Sequence, residues 1–347
     1  MVKILYSING DGLGHATRSI PIINALSKKH TIKVLVSSVR SGNFMKKYVR
    51  NITAYEGVRF IYDKNQLNIY RTITKNAKIV LSKSSNLKRI YDLIKEYQPQ
   101  VLLVDCDFPT LVVAKLFKIP VICVCNIHSL SEMKYSVPPK YKKIYYPQKM
   151  LVKALSTKVD YHVLTTFFYL PVKKKNVFLY PPILRKEILQ LVPERKDYYL
   201  IYQTSSTNSN LIPVLKSINK KFVIYGYDKN ETNGNIIFRK TNNKQFFIDF
   251  KNCRACIANG GYSFISEAVS LHKPVLSIPI KGTFEQVLNA MQIKNLGYGD
   301  MCDSINRKAL LSFIKNNDKY YQNIKKYKKE DNSRIIAKIE ELIREVV

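Results

Sequence analysis

Residues Ala258 to Ala290 read ANGGYSFISEAVSLHKPVLSIPIKGTFEQVLNA. The apolar segment ending at Ala258 has strand composition, Gly260-Gly261 makes a tight turn, and a helix starts at Ser263. PVLSIPI follows as a second strand. Strand, glycine turn, helix and strand in succession is the unit of a parallel sheet covered by helices. The same stretch carries chemistry. Backbone N–H groups at a glycine turn before a helix make a place for a diphosphate. Glu267, one turn into the helix, has two oxygens that can accept from adjacent ribose hydroxyls, while Glu285, Gln286 and Asn289 fall within about one turn of the next helix. A carboxylate and two amides presented together suit the hydroxyls of a sugar ring. Singly, these residues read as an N-cap serine, a surface carboxylate and a polar helix start; jointly they point to a nucleotide-sugar site.

The alternation runs outward in both directions. In the first half, Lys3–Ser7, Thr31–Ser37, Val101–Val104 and Val121–Cys125 read as strands, with helices over Ala16–Lys28 and Thr110–Phe117. In the second half, Tyr198–Tyr202, Phe222–Tyr225, Ile236–Phe238, Cys256–Ala258 and Val275–Ser277 read as strands. Between the halves, Thr165 to Leu184 breaks the pattern with Pro171, Pro181, Pro182 and a lysine run, as an interdomain linker would. The expected architecture is α/β with two Rossmann-like domains, residues 1–165 and 185–320, a linker over 166–184, and a C-terminal helical tract over 321–347 with Ile335, Ile336, Ile339 and Ile343 on one side.

Near the N-terminus, Asn9-Gly10-Asp11-Gly12-Leu13-Gly14-His15 joins a strand to a helix. His15 stands where the dinucleotide fingerprint has its third glycine, and no acidic residue ends the second strand, so a dehydrogenase is excluded by spacing. Gly12 and Gly14 let the backbone approach a ligand. His15 at a helix N-terminus is held neutral by the dipole and can take a proton from an acceptor hydroxyl. Such a base works better with a carboxylate behind it. Asp105, closing the strand VLLV, is the expected partner, with Asp107 two residues on. Asp105-x-Asp107 also matches a short metal-binding pattern common by chance, and no metal is expected at the site. His128, in the loop after the next strand, is a candidate acceptor-site residue.

With these residues in view, the C-terminal segment resembles the donor-binding motif of B-fold glycosyltransferases, MurG-like and UDP-glycosyltransferase-like, and Gly10-Asp11-Gly12-Leu13-Gly14-His15 resembles the glycine-rich loop of the same families. The similarity is densest over residues 1–28 and 256–299. It implies two domains facing a central cleft, a C-terminal helix crossing back to the N-terminal domain, and metal-independent inverting transfer without a cofactor. It further implies that His15 is the base, that Glu267 holds the ribose of a donor, by default a UDP-sugar, and that Gln286 and Asn289 hold its sugar. Thr204-Ser205-Ser206 resembles the family's small-residue loop near the phosphates. MurG has a longer glycine run and a proline soon after the histidine, whereas Ala16-Thr17-Arg18 follows here and Pro21 comes later.

The bulk properties set the remaining expectations. Lys and Arg number 57 against 25 Asp and Glu, giving +32, shared about evenly by the two halves. An acidic partner would suit that charge, but Lys, Asn, Ile and Tyr are all abundant, as an AT-rich coding sequence produces without selection. A basic protein binding nucleic acid would carry an aromatic-rich basic sheet motif or a helix-turn-helix signal, and neither is present. A nucleotide-sugar 2-epimerase is an alternative on the same fold and would need further acid/base carboxylates. Lysines mixed with Ile, Leu and Tyr over Gln66–Tyr97 and Lys134–Lys153 would suit contact with anionic lipid and a lipid-linked acceptor. No run reaches the roughly 18 uncharged apolar residues of a membrane helix, and the N-terminus turns polar too early for a signal-peptide core. A cytoplasmic protein is expected. The six cysteines read as reduced thiols, and no second pair or nearby His completes a zinc set around Cys253-Arg-Ala-Cys256.

Overall fold

The computed structural model describes residues 1–57, 61–63, 66–67, 71, 74, 83–155, 159–203 and 209–347. The described residues fall into two compact units: those within 1–61, 69–185 and 331–347 form the first, and those within 62–68 and 186–330 the second.

The strands in chain order are β1 (Lys3–Ile8), β2 (Thr31–Val36), β3 (Ile52–Ala54), a short antiparallel pair β4 (Tyr62–Asp63) and β5 (Gln66–Leu67), then β6 (Val101–Asp105), β7 (Val121–Cys125), β8 (Tyr161–Thr165) and β9 (Val177–Tyr180). The first unit is a seven-stranded sheet, β3-β2-β1-β6-β7-β8-β9, parallel throughout. Every residue of β6 (VLLVD) and β7 (VICVC) is buried, as strands covered on both faces must be. Successive residues of β1 serve opposite cores: Ile4, Tyr6 and Ile8 join Val34 and Ile22 on one side, while Leu5 joins Leu35, Leu102 and Ile94 on the other.

The second unit holds β10 (Tyr198–Tyr202), β11 (Lys221–Tyr225), β12 (Glu231–Asn233), β13 (Ile236–Arg239), β14 (Ala255–Ala258), β15 (Val275–Ser277) and β16 (Gly299–Met301). Their order is β12-β13-β11-β10-β14-β15-β16, parallel except for β12 at one edge. In each unit the strand order reverses once, between β1 and β6 and between β10 and β14. Loops leaving the C-terminal ends of the strands at such a reversal diverge and leave a crevice for a ligand.

Two boundaries differ from the sequence reading. The stretch 166–184 is not a linker: Val177–Tyr180 pairs with β8 and completes the first sheet, its prolines flanking the strand rather than interrupting it. The chain passes to the second unit after Arg185. The C-terminal return begins at Asp331, not at residue 321, because helix Asn317–Ile324 stays with the second unit, where Asn323 Nδ2 donates to Gly297 O at 3.3 Å. Helix Ser333–Val346 then buries Ile335, Ile339, Leu342 and Ile343 in the same core as Ile4 and Ile22, each burial being worth about 1.5–3 kcal/mol. Asn332, just before it, bonds the Leu184 backbone in both directions, at 2.9 and 2.8 Å.

Candidate active site

In the first unit the loop after β1 is held by its neighbours' backbones and serines. Asn9 N donates to Asp105 O at 2.9 Å, Gly10 N donates to Ser37 Oγ at 2.9 Å, and Ser41 Oγ donates to Gly10 O at 2.9 Å. Gly12 turns the loop at a φ of +79°, where a side chain would be strained. Helix Gly14–Leu26 opens directly after it, which places His15 in the first turn and Arg18 one turn on. His15 Nδ1 lies 3.0 Å from Asp105 Oδ1. Arg18 grips the same carboxylate with two bonds, Nε to Oδ2 at 2.7 Å and Nη2 to Oδ1 at 2.6 Å. Asp105 is fully buried, and burial alone would push its pKa up; the charge of Arg18, helped by His15, outweighs it and holds the pKa at about 2. Arg18 Nη2 is also 2.7 Å from His15 Nδ1. One tautomer therefore donates Nδ1–H to Asp105 and leaves Nε2 bare; the other accepts from Arg18 and carries its proton on Nε2. Only the first can act as a base. The His15 side chain is 21% exposed.

Asp107 is not part of this group. Cys106 between the two acids has φ +59°, and the backbone turn sends them apart. Asp107 accepts from Ser7, Tyr55 and Thr110 instead, inside the protein. His128 is not there either: it is 3% exposed, with Nδ1 3.2 Å from Cys123 Sγ and 3.1 Å from His162 Nδ1.

In the second unit the Gly260-Gly261 turn follows β14 at the strand-order reversal, and helix Tyr262–Ser270 begins with Gly261 as its cap. Ser263 is thus the second residue of the helix. A β-carbon on Gly260 would lie 2.3 Å from Gln286 O, so only glycine fits; around Gly261 the space is open. Gln286 Oε1 accepts from both Gly260 N, at 3.1 Å, and Ile280 N, at 3.0 Å, and Asn289 Nδ2 donates to Gly260 O at 3.0 Å. Both amides are therefore engaged in shaping the turn, and Asn289 is buried at 1% exposure. Glu267 is buried at 7%, while Ser263 and Glu285 are half-buried. The first-turn amides of a helix have no intrahelical acceptor and, with the dipole, favour an anion. Ser205 and its neighbours in 204–208, in the loop after β10, lie outside the described residues.

The glycosyl transferase family 1 model matches residues 2–317. The chain belongs to that family. It is 23% identical to an uncharacterized glycosyltransferase of Methanosarcina acetivorans, over 86% of this chain and 85% of the relative. Among solved structures, a UDP-glucosyltransferase of Polygonum tinctorium superposes with a TM-score of 0.70 at 13% identity, covering 99% of this chain and 98% of that one. MurG of Acinetobacter baumannii gives 0.61 at 12% identity, with 99% of both chains covered. The two-domain B fold and the sugar-transfer activity read from the sequence are thus both met.

Arg18 is the residue of this glycosyltransferase that sequence reasoning missed. It entered only as part of a departure from the MurG pattern, yet it holds the carboxylate behind His15. Its signal was the spacing: His15-x-x-Arg18 in a first helical turn puts both side chains on one face. Ser37 and Ser41 carried no such signal, because their role is to anchor a loop distant in sequence.

Proposed function

We propose that this glycosyltransferase moves a sugar from a UDP-sugar to a hydroxyl acceptor with inversion at the anomeric carbon. The observation that carries this reading is the His15–Asp105 contact at 3.0 Å, locked from behind by Arg18 at the strand-order reversal of the first sheet. Asp105 orients the imidazole through Nδ1, and Nε2 takes the acceptor's hydroxyl proton. The acceptor oxygen bonds the anomeric carbon as the bond to the diphosphate breaks. The departing nucleoside diphosphate carries the negative charge, which the Gly261 end of helix Tyr262–Ser270 stabilises. Glu267 accepts from the two ribose hydroxyls. Gln286 and Asn289 act on the donor largely through the turn they hold, and Glu285, half-buried one residue before Gln286, reaches the sugar hydroxyls.

The test is calorimetric titration with UDP, UDP-sugars and other nucleoside diphosphates. Micromolar binding of one of them is expected, weakened at least about tenfold in Glu267→Ala through the lost hydrogen bonds to a charged acceptor. No binding of any nucleotide, or equal binding by the variant, would overturn the donor assignment.

A lipid-linked acceptor is favoured by helix Lys142–Leu155. It exposes Tyr146, Met150 and Leu151 beside Lys142, Lys143 and Lys153, apolar side chains among cations as at an anionic bilayer surface. Within Gln66–Tyr97, only part of the stretch lies inside the described residues. No helix among the described residues is long and apolar enough to cross a membrane. Co-sedimentation with vesicles containing anionic lipid at physiological salt is expected, and it should drop in Met150→Glu/Leu151→Glu. Protein left wholly in the supernatant would rule the surface out.

A further inference from the structure

We propose that Cys123, Cys125, His128 and His162 form a closed, buried site for one zinc-class cation in the first unit. The fold brings them together in a way the linear spacing hides. Cys123 and Cys125 alternate onto the same face of β7 and share one core cluster. The parallel register of β7 with β8 sets His162 directly opposite Cys123. His128 comes back over the end of β7 as the residue capping helix Ser129–Glu132. All four are at most 3% exposed.

The donor atoms converge. Cys123 Sγ is 3.2 Å from His128 Nδ1 and 3.5 Å from Cys125 Sγ, and His128 Nδ1 is 3.1 Å from His162 Nδ1. The donor atoms of Cys123, His128 and His162 all lie within 4.8 Å of one another. With Zn–S and Zn–N bonds of about 2.3 and 2.05 Å, the edges of a regular tetrahedron are about 3.8 Å between sulfurs, about 3.6 Å between sulfur and nitrogen, and about 3.3 Å between nitrogens. These three separations are each a few tenths of an ångström shorter than the corresponding edges; Cys125 Sγ lies beside Cys123 but outside the mutually close trio, so it must move inward to become the fourth ligand. Two sulfurs and two imidazole nitrogens form a soft, four-protein-ligand set that leaves no open position, the structural rather than the catalytic type.

Charge balance agrees with burial. Each thiol loses its proton to solvent on binding and each imidazole binds through a neutral Nδ1, so a dication with two thiolates is neutral overall. A small cavity of about 10 Å³ lined by Cys106, Asp107, Phe108, Cys123 and His128 adjoins the group and leaves the donors room to adjust. The bound ion would clamp β7, β8 and the 126–132 turn, next to the strand that carries Asp105.

Metal analysis of the purified full chain after dialysis is expected to give one zinc per chain. Titration of the stripped protein with cobalt(II) is expected to give the near-ultraviolet thiolate charge-transfer band and tetrahedral visible bands, saturating at one equivalent. The bands should vanish in Cys123→Ser and in His162→Asn, and persist in Cys253→Ser, which removes one of the other close thiol pair, 3.7 Å from Cys256. If the first two variants do not fold, the wild-type chain decides: zinc should raise its thermal midpoint and a strong chelator should lower it. Bands that survive both ligand variants overturn the site. So does a wild-type chain that takes up no metal and melts at the same temperature with and without zinc.

Discussion

Asp105→Asn is expected to lower turnover by about 10³- to 10⁴-fold while leaving nucleotide affinity unchanged. The size follows from what the carboxylate does. It is the acceptor that selects Nδ1–H on His15, and Arg18 Nη2, 2.7 Å from the same nitrogen, competes for it. An asparagine amide cannot hold Arg18 and orient the imidazole together, so the ring turns to the Arg18-bonded tautomer and Nε2 is no longer a base. His15→Ala should lose about 10²- to 10⁴-fold by removing the base itself, and the double variant should be little worse than either single one, since the two residues act as one unit. Steady-state rates beside calorimetric nucleotide binding check this. Multiplicative losses would place Asp105 outside the dyad. Asp105→Asn should also destabilise, because it leaves a buried guanidinium without its counter-charge. The pH dependence has a definite sign. The folded pKa of Asp105 is depressed to about 2 from 3.8, so its contribution, about 2 kcal/mol, is complete above pH ~4 and is lost as pH falls through about 2.

Gly260→Ala should reduce nucleotide affinity by about 10²-fold or more and lower the thermal midpoint. The added methyl would sit 2.3 Å from Gln286 O, a backbone atom that cannot swing aside as a side-chain tip could. To relieve the clash the turn must separate from helix Phe284–Asn295, which breaks the bonds that Gln286 and Asn289 make to Gly260. The amides at the Gly261 end of helix Tyr262–Ser270 then lose the fixed aim on which anion binding at a helix start depends. Gly261→Ala is the control, since nothing lies within 4 Å of its added methyl: it should fold as the wild type does. Equal nucleotide binding by Gly260→Ala and the wild type would mean that the turn does not contact the donor.

The parallel sheets were legible because their strands are short apolar runs separated by helical periodicity. All nine strands expected from the sequence are present within a residue or two. What escaped were the four edge strands, the two-residue pair β4 and β5, and β8, whose five residues YHVLT lie just before the proline- and lysine-rich stretch. β3, β9, β12 and β16 have three or four residues each, too few to show a period, and β9 is hidden among prolines and lysines. At the candidate site, His15 was readable from the glycine loop before its helix, and Asp105 and the Gly260-Gly261 turn from their places at or just past the ends of strands. Arg18 was missed although its spacing puts it on the His15 face of the helix, because the carboxylate it meets lies 87 positions away and comes into view only with the fold. Gln286 and Asn289 were read as donor contacts; the bonds they also make to the Gly260 turn could not be read, because polar residues at a helix start look alike whether they face a ligand or a backbone. His128 was read as a candidate acceptor-site residue in the loop after β7; that the register of β7 and β8 sets His162 and Cys123 around it is not visible in the sequence.

The C-terminal helix has a consequence for how the protein is made. Ile339, Leu342 and Ile343 belong to the core of the unit that begins at Met1, with the whole of 186–330 intervening. On the ribosome, that first unit must wait with one flank of its sheet uncovered while the second is synthesised. The domain translated first is therefore the one completed last, and its apolar face stands open for the duration of translation.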